Sequence, residues 1–231
     1  MNLLHRFYWK KGMKEYDVWE VVMAAVMLAT KALERPLTLK SVIQSTHRVW
    51  IVRFNHLNPA PLPYKPLIVG SPHYTRWRDR AVEVEGDMLC ALGFTLYAAT
   101  KDRSQLYVPL ILSRVTSFGG EEAASTLAGE LLAAAMRVAD DAAVLDLCVR
   151  HKPDFIALAC VYVAGAGKGG GKDNPMRGME GMWRDGEERR AWEDCVNSIL
   201  AMYEKGGVLD DETVTKGYMD PINQNTKIFA D

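Results

Sequence analysis

Hydrophobic positions along this chain recur at helical spacing, and strand-like alternation is scarce. The densest run lies in HRFYWKKGMKEYDVWEVVMAAVMLATKALERP, His5 to Pro36. Within it Val18, Val21, Val22, Ala25, Leu28 and Ala29 follow a helical stripe. Ala24, Val26 and Met27 make the other faces apolar too. A helix apolar all round belongs at the centre of an all-helical domain. The pattern predicts a short aromatic helix over Leu3 to Lys11 and a buried helix over Tyr16 to Leu33. The charged stop Lys31, Glu34, Arg35 precedes Pro36. A third helix is expected over Thr38 to Val49, with Thr38 as N-cap. Asn55 to Pro72, rich in proline, reads as a loop. Thr75 then opens a long helix striped by Trp77, Ala81, Val84, Met88 and Leu92.

After Tyr97 the pattern begins again. Helices are expected over Gln105 to Phe118 and over the alanine-rich Glu121 to Val138, whose acidic start suits the helix dipole. Pro153 to Ala164 is a second helix apolar nearly all round. It aligns without gaps on the first, Val21 to Val26 against Ile156 to Val161. Glu187 to Lys205 is amphipathic, striped by Trp192, Cys195, Val196, Ile199, Met202 and Tyr203. The order therefore occurs twice, a weak internal repeat longer than a solenoid period. Two stacked helical bundles are the expected result. The expected divisions are 1–97, 98–205 and a polar tail, 206–231, either laid on the surface or partly disordered.

Composition narrows the chemistry. The 231 residues are enough for two small cores. A formal net charge of −1 does not suggest a cationic nucleic-acid surface. Cys90, Cys148, Cys160 and Cys195 stand singly in apolar stretches without a CxxC pair, so buried free thiols in a reducing compartment are expected. No signal peptide and no membrane-spanning run is read. His5, His47, His56, His73 and His151 lack metal spacing and read as surface or capping residues. Gly165 to Asp173 (GAGKGGGKD) fails the phosphate-loop pattern. Ala166 stands where the first Gly is needed and Asp173 where Ser or Thr is needed, so it reads as a flexible connector. No catalytic residue, metal site or cofactor is expected, and the chain reads as a non-enzyme. Phe7, Tyr8, Trp9 and Trp19 suit core packing, with a docking patch as the other reading.

The ordered series resembles the cyclins, and among them the transcription-associated L, K and T types. LLHRFYWKKG is similar to that family's "RFYY-KS" helix, and VVMAAVMLATKALERPLTLKSVI to "VAMACLFLASKVEE-PRKLRDVI". YKPLIVGSPHYTRWRDRAVEVEGDMLCALGF resembles the stretch through "E--VLKELGF", and HKPDFIALACVYVAG resembles "QPETIACACIYLAAR". The resemblance covers residues 2 to 205. It implies an all-α cyclin fold of two stacked boxes. It also implies a regulatory subunit that binds and activates a cyclin-dependent protein kinase as a heterodimer, in transcription or RNA-processing control. Such a protein is nuclear, with the cytoplasm as a second compartment. No membrane, nucleic acid or small-molecule substrate is expected as partner. The alternative is a transcription factor IIB-like adaptor of the same fold that binds DNA and polymerase, against which the near-neutral charge counts.

By position, Lys31 matches the lysine ending "LASK" and Glu85 the glutamate before "VLKELGF". In cyclins this pair reaches backbone groups beside the kinase αC helix, through charge-assisted bonds. Leu33, Glu34 and Leu39 are carried over as further contacts. Spacing alone leaves a second reading open, with Lys31 complementing a helix C-terminus and Glu85 at the edge of a solvated face. Against the family pattern, Met1 falls midway through the second helix of the box, so the first bundle is expected to lack its opening helix. The docking patch carried there is then not expected, and an apolar face would be left open. Ala166 stands where the first box has Lys31, and no arginine-serine tail follows.

Overall fold

Asp17 starts the helix on which one half of the molecule is built. Its side chain accepts hydrogen bonds from the backbone N–H of Trp19 and Glu20, which satisfies two of the first-turn donors that have no partner within the helix. The computed structural model describes residues 1–58, 60–96, 103–116, 123–166 and 186–204. These fall into two compact units, within Met1–Lys101 and Asp102–Asp231. Every regular element among the described residues is a helix. The tail, 206–231, and residues 167–173 of the glycine-rich linker lie outside the described residues.

The first unit comprises α1 (Asn2–Lys11), α2 (Val18–Ala32), α3 (Leu39–Leu57) and α4 (Pro72–Ala91). α2 packs against the other three. Its residues divide between two apolar clusters. Met23 and Met27 meet Val42, Ile43, Trp50 and Ile51 of α3 and Trp77 and Ala81 of α4. Val21, Ala24, Ala25 and Leu28 meet Leu3 and Phe7 of α1 and Val84 and Met88 of α4. Burying a side chain of this size contributes roughly 1.5–3 kcal/mol. The expected all-round burial of α2 is not complete, since Val26 is exposed. Of the aromatic group at the start, Phe7 is fully buried and Tyr8 packs beside it, whereas Trp9 points to solvent.

In the first unit two helix boundaries differ clearly from the sequence expectation, and in the second the alanine-rich helix runs on to Ala142, four residues past Val138. α3 runs on through Leu57, because Trp50, Ile51 and Phe54 continue its inward face past Val49. α4 begins at Pro72, one turn before Thr75. Ser71 is its N-cap, accepting from the Tyr74 N–H at 3.2 Å, and Pro72 occupies the first helical position, where no amide hydrogen is needed. Thr38 caps α3 as expected, accepting from the Ser41 N–H.

The second unit comprises α5 (Ser104–Thr116), α6 (Ala123–Ala142), α7 (Leu147–Arg150), α8 (Pro153–Ala166) and α9 (Gly186–Glu204). Here α8 is the central helix, and every residue from Ile156 to Val161 is buried. Around it pack Val108 and Leu112 of α5, Leu131, Ala135 and Ala139 of α6, and Cys195, Val196 and Ile199 of α9. The two helices aligned by the internal repeat, α2 and α8, thus hold the same central place, each in its own unit. Asp194 of α9 accepts from Arg150 at 2.6 Å and lies 2.7 Å from His151, tying the α7 end to α9.

Two expectations about single residues fail. Cys160 and Cys195 are buried and Cys148 is half-buried, but Cys90 is exposed, on the outer side of α4. His47 is not a surface residue. It is buried on the inward face of α3, stacked on Trp50 and edge-on to Trp77.

Candidate functional site

The C-terminal ends of α2 and α4 meet in one apolar cluster. Leu28 and Ala29 share it with Met88, Leu89, Leu92 and Leu96. Both helices stop by the same device. After α2, Glu34 takes a left-handed φ of 56°. Its N–H reaches the Lys31 carbonyl at 3.0 Å, while the Arg35 N–H reaches Thr30 at 2.9 Å. After α4, Gly93 has φ 59° and Phe94 φ 57°, with N–H bonds to Cys90 and Leu89. These are paired C-terminal capping bonds that use up otherwise orphaned carbonyls. Glycine adopts such a φ freely. Glu34 and Phe94 do so at a cost of order 1–2 kcal/mol each.

Lys31 sits in the last turn of α2, where a cation complements the helix dipole. Glu85 lies on the inward stripe of α4, between Val84 and Met88, and is buried. The Lys31 ammonium donates to Glu85 Oε1 at 2.5 Å. The lysine side chain is 52% exposed and the glutamate side chain 10% exposed. The two residues matched to the family's kinase-binding pair are therefore in direct contact. An ammonium carries three donors and a carboxylate about four acceptor sites, so one mutual bond leaves capacity on both for a further partner. The arrangement is a two-signed hydrogen-bonding handle on a rigid base.

The base is rigid because α2 is tied to α4 at both ends. Arg80 of α4 forks onto Glu20 at the start of α2, Nε to Oε1 at 3.1 Å and Nη2 to Oε2 at 2.7 Å. Its Nη1 also donates to Glu83 at 2.7 Å. Tyr16, just before α2, donates through its hydroxyl to Asp87 of α4 at 3.1 Å, and its carbonyl accepts from the Tyr8 hydroxyl.

Of the other residues carried over, Leu33 and Glu34 are exposed beside Lys31, and Leu37 is exposed just beyond. Leu39 is half-buried against the cluster of Met23, Met27 and Val42, so it offers a partner only part of its surface. Sequence reasoning did not single out Phe94, a residue 70% exposed just past the end of α4. The Gly-Phe step after an amphipathic helix was the available signal. Ala166, the position in the second unit aligned with Lys31, is the last residue of α8 and cannot form a like ion pair.

Among the described residues, no group of His, Cys, Asp or Glu could hold a metal ion. No described helix is long and apolar enough to cross a membrane. No family model matches the chain. Curated relatives do. The chain is similar to Cyclin-L1-1 of Oryza sativa subsp. japonica, 30% identical over 162 residues that make up 70% of this chain and 33% of that protein. It is similar to Cyclin-L2 of Mus musculus, 26% identical over 162 residues, 70% of this chain and 28% of that protein. It is also similar to Cyclin-L1 of Homo sapiens, 25% identical over the same share of this chain and 27% of that protein. The chain spans about a third of the length of these relatives.

Proposed function

The chain belongs to the cyclin family, and from that premise we propose that it is a regulatory subunit that binds and activates a cyclin-dependent protein kinase. The two units would be the two cyclin boxes, divided near residues 97 and 98, and the handle at the ends of α2 and α4 would be the kinase-docking point. The observation that supports this most directly is the Lys31–Glu85 contact, with its half-exposed ammonium. In that role Lys31 donates to carbonyls beside the kinase αC helix, and Glu85 accepts from backbone amides there. Leu33 and Glu34, next to Lys31 in the chain, Leu39 at the start of α3 and the exposed Phe94 just past the end of α4 would be the further contacts. Holding αC inward lets its glutamate pair with the strand lysine that positions the ATP phosphates. The chain itself does no chemistry. It favours the active kinase conformation by binding it better than the inactive one. The L-type likeness favours a nuclear role in transcription or RNA processing.

The test is to co-express the chain with cyclin-dependent kinases and assay the kinase that co-purifies. Replacing Lys31→Ala together with Glu85→Ala should abolish activation while the helical circular dichroism stays intact. Unchanged activation by that double variant would remove the docking assignment.

A further inference from the structure

Charge is not spread evenly over this chain. From Arg35 to Arg78 there is no Asp or Glu, while Arg35, Lys40, Arg48, Arg53, Lys65, Arg76 and Arg78 contribute seven cations. The rest of the chain carries 21 cations and all 29 acidic residues. That acid-free stretch comprises α3, the segment after it and the first turns of α4.

The segment after α3 is held in place by two side-chain amides. Gln44 Nε2 donates to the Leu67 carbonyl at 2.5 Å, and the Leu67 N–H donates back to Gln44 Oε1 at 3.1 Å. Asn55 does the same for Leu62, with bonds of 2.8 and 2.7 Å. The two amides are eleven residues apart on a helix, about 16 Å at 1.5 Å per residue. Leu62 and Leu67 are five residues apart, about 16 Å at 3.3 Å per residue when extended. The spans match. Leu62 to Leu67 is therefore a fully extended strap running antiparallel along α3, stiffened by Pro63 and Pro66. The Arg48 guanidinium lies over the Tyr64 ring, 5.9 Å from its centroid. The outer side of α3 exposes two valines, Val49 at 57% and Val52 at 60%, of which Val52 is nearer the face that holds the strap, and the strap exposes Leu62.

We infer that the strap and the outer side of α3 form a second docking surface, for an acidic peptide segment of a partner protein that carries apolar side chains between its carboxylates. Arg48, whose guanidinium lies over Tyr64, and Lys65 within the strap supply the charge complementarity, in a stretch of sequence that carries no acid of its own; Arg78, at its far end, is already paired with Asp79. Val49, Val52 and Leu62 supply apolar contact where the charges alone would give little affinity. A nucleic acid fits less well. Bases stack on exposed planar rings, and here Val49, Val52 and Leu62 are aliphatic and the one ring in the strap, the partly exposed Tyr64, has one face taken by the Arg48 guanidinium. The surface is independent of the Lys31–Glu85 handle, and the kinase reading can fail without it.

The test is fluorescence anisotropy with the full chain. The probes are a labelled peptide of Glu-Leu-Glu-Phe repeats, the same peptide with Gln for Glu, and single-stranded poly-uridine RNA. The acidic peptide should bind saturably and weaken as salt rises. The Gln peptide should bind at least about tenfold more weakly, and so should the acidic peptide to the Arg48→Glu, Lys65→Glu double variant. Val52→Glu, a change on the exposed side of α3, should give the same loss with an unaltered melting temperature. The inference is overturned if the acidic peptide does not bind, if the Gln peptide binds equally, if Val52→Glu has no effect, or if the RNA binds more tightly than the peptide.

Discussion

Lys31 and Glu85 meet across 2.5 Å with opposite surroundings, the ammonium half in water and the carboxylate nearly out of it. Removing either partner therefore has unequal consequences. Lys31→Ala leaves a buried carboxylate without its counter-charge, which costs about 1–3 kcal/mol. Glu85→Gln leaves a lysine free to turn into solvent and an amide that still accepts, which costs under about 1 kcal/mol. Denaturant unfolding of the two single variants should show that order. The reverse order would mean that Glu85 is stabilised by something other than Lys31.

His47 makes the stability of the first unit depend on pH. Burial holds its imidazole below the usual histidine value, and the nearby His73 adds to the effect. Its Nδ1 has no hydrogen-bond partner, and its ring faces Trp50 and Trp77. The unfolded chain, titrating near 6.5, binds the proton more readily than the folded one. Stability is therefore full above that value and falls as the pH drops through it. Unfolding midpoints at about pH 7.5 and about pH 5.5 should differ, and His47→Phe should shrink the difference. An equal pH response in the variant would place the proton uptake elsewhere.

The central helices were the most legible part of the sequence. α2 and α8 are apolar on nearly every face, and a central place in each unit is what buries Ile156 to Val161 together. Helix ends were less legible where capping chemistry competed with periodicity. Thr75 looked like a start, but Ser71 followed by Pro72 provided both the cap and the preset φ. Glu85 came from family likeness. Its position on an apolar stripe was a hint, but a buried carboxylate makes sense only with Lys31 beside it, and no local pattern shows a contact between residues 54 positions apart. Net charge misled in another way. A value of −1 averages a stretch of seven cations with an acidic remainder. The strap along α3 was invisible, because proline spacing shows that a loop is extended and not what it lies against.

The four cysteines should separate into fast and slow thiols. Burial pushes Cys160 and Cys195 up to about 12, so almost no thiolate forms at neutral pH. Cys90 is exposed. With a disulfide reagent at about pH 8, Cys90 should react first, and Cys90→Ser should remove the fastest phase. Persistence of that phase would point to Cys148, which is half-buried.

Arg80 separates structural from docking effects at the ends of α2. Its fork onto Glu20 fixes the start of that helix, and Lys31 holds the end. Lysine cannot reproduce a planar two-pronged contact, so Arg80→Lys loses geometry and keeps charge. The pair is partly exposed, at 37% and 23%, so the loss is modest, about 0.5–1 kcal/mol. It should shrink in about 1 M salt, where exposed charges are screened within a few ångströms. If the proposed kinase-docking role holds, a variant weakened only there should still activate the kinase, because the Lys31–Glu85 pair is untouched. Thermal melts at two salt concentrations, run beside the kinase assay, test both halves. Loss of activation in Arg80→Lys at a temperature where the chain remains folded would mean that the handle acts through the pitch of the whole helix and not through its own two side chains.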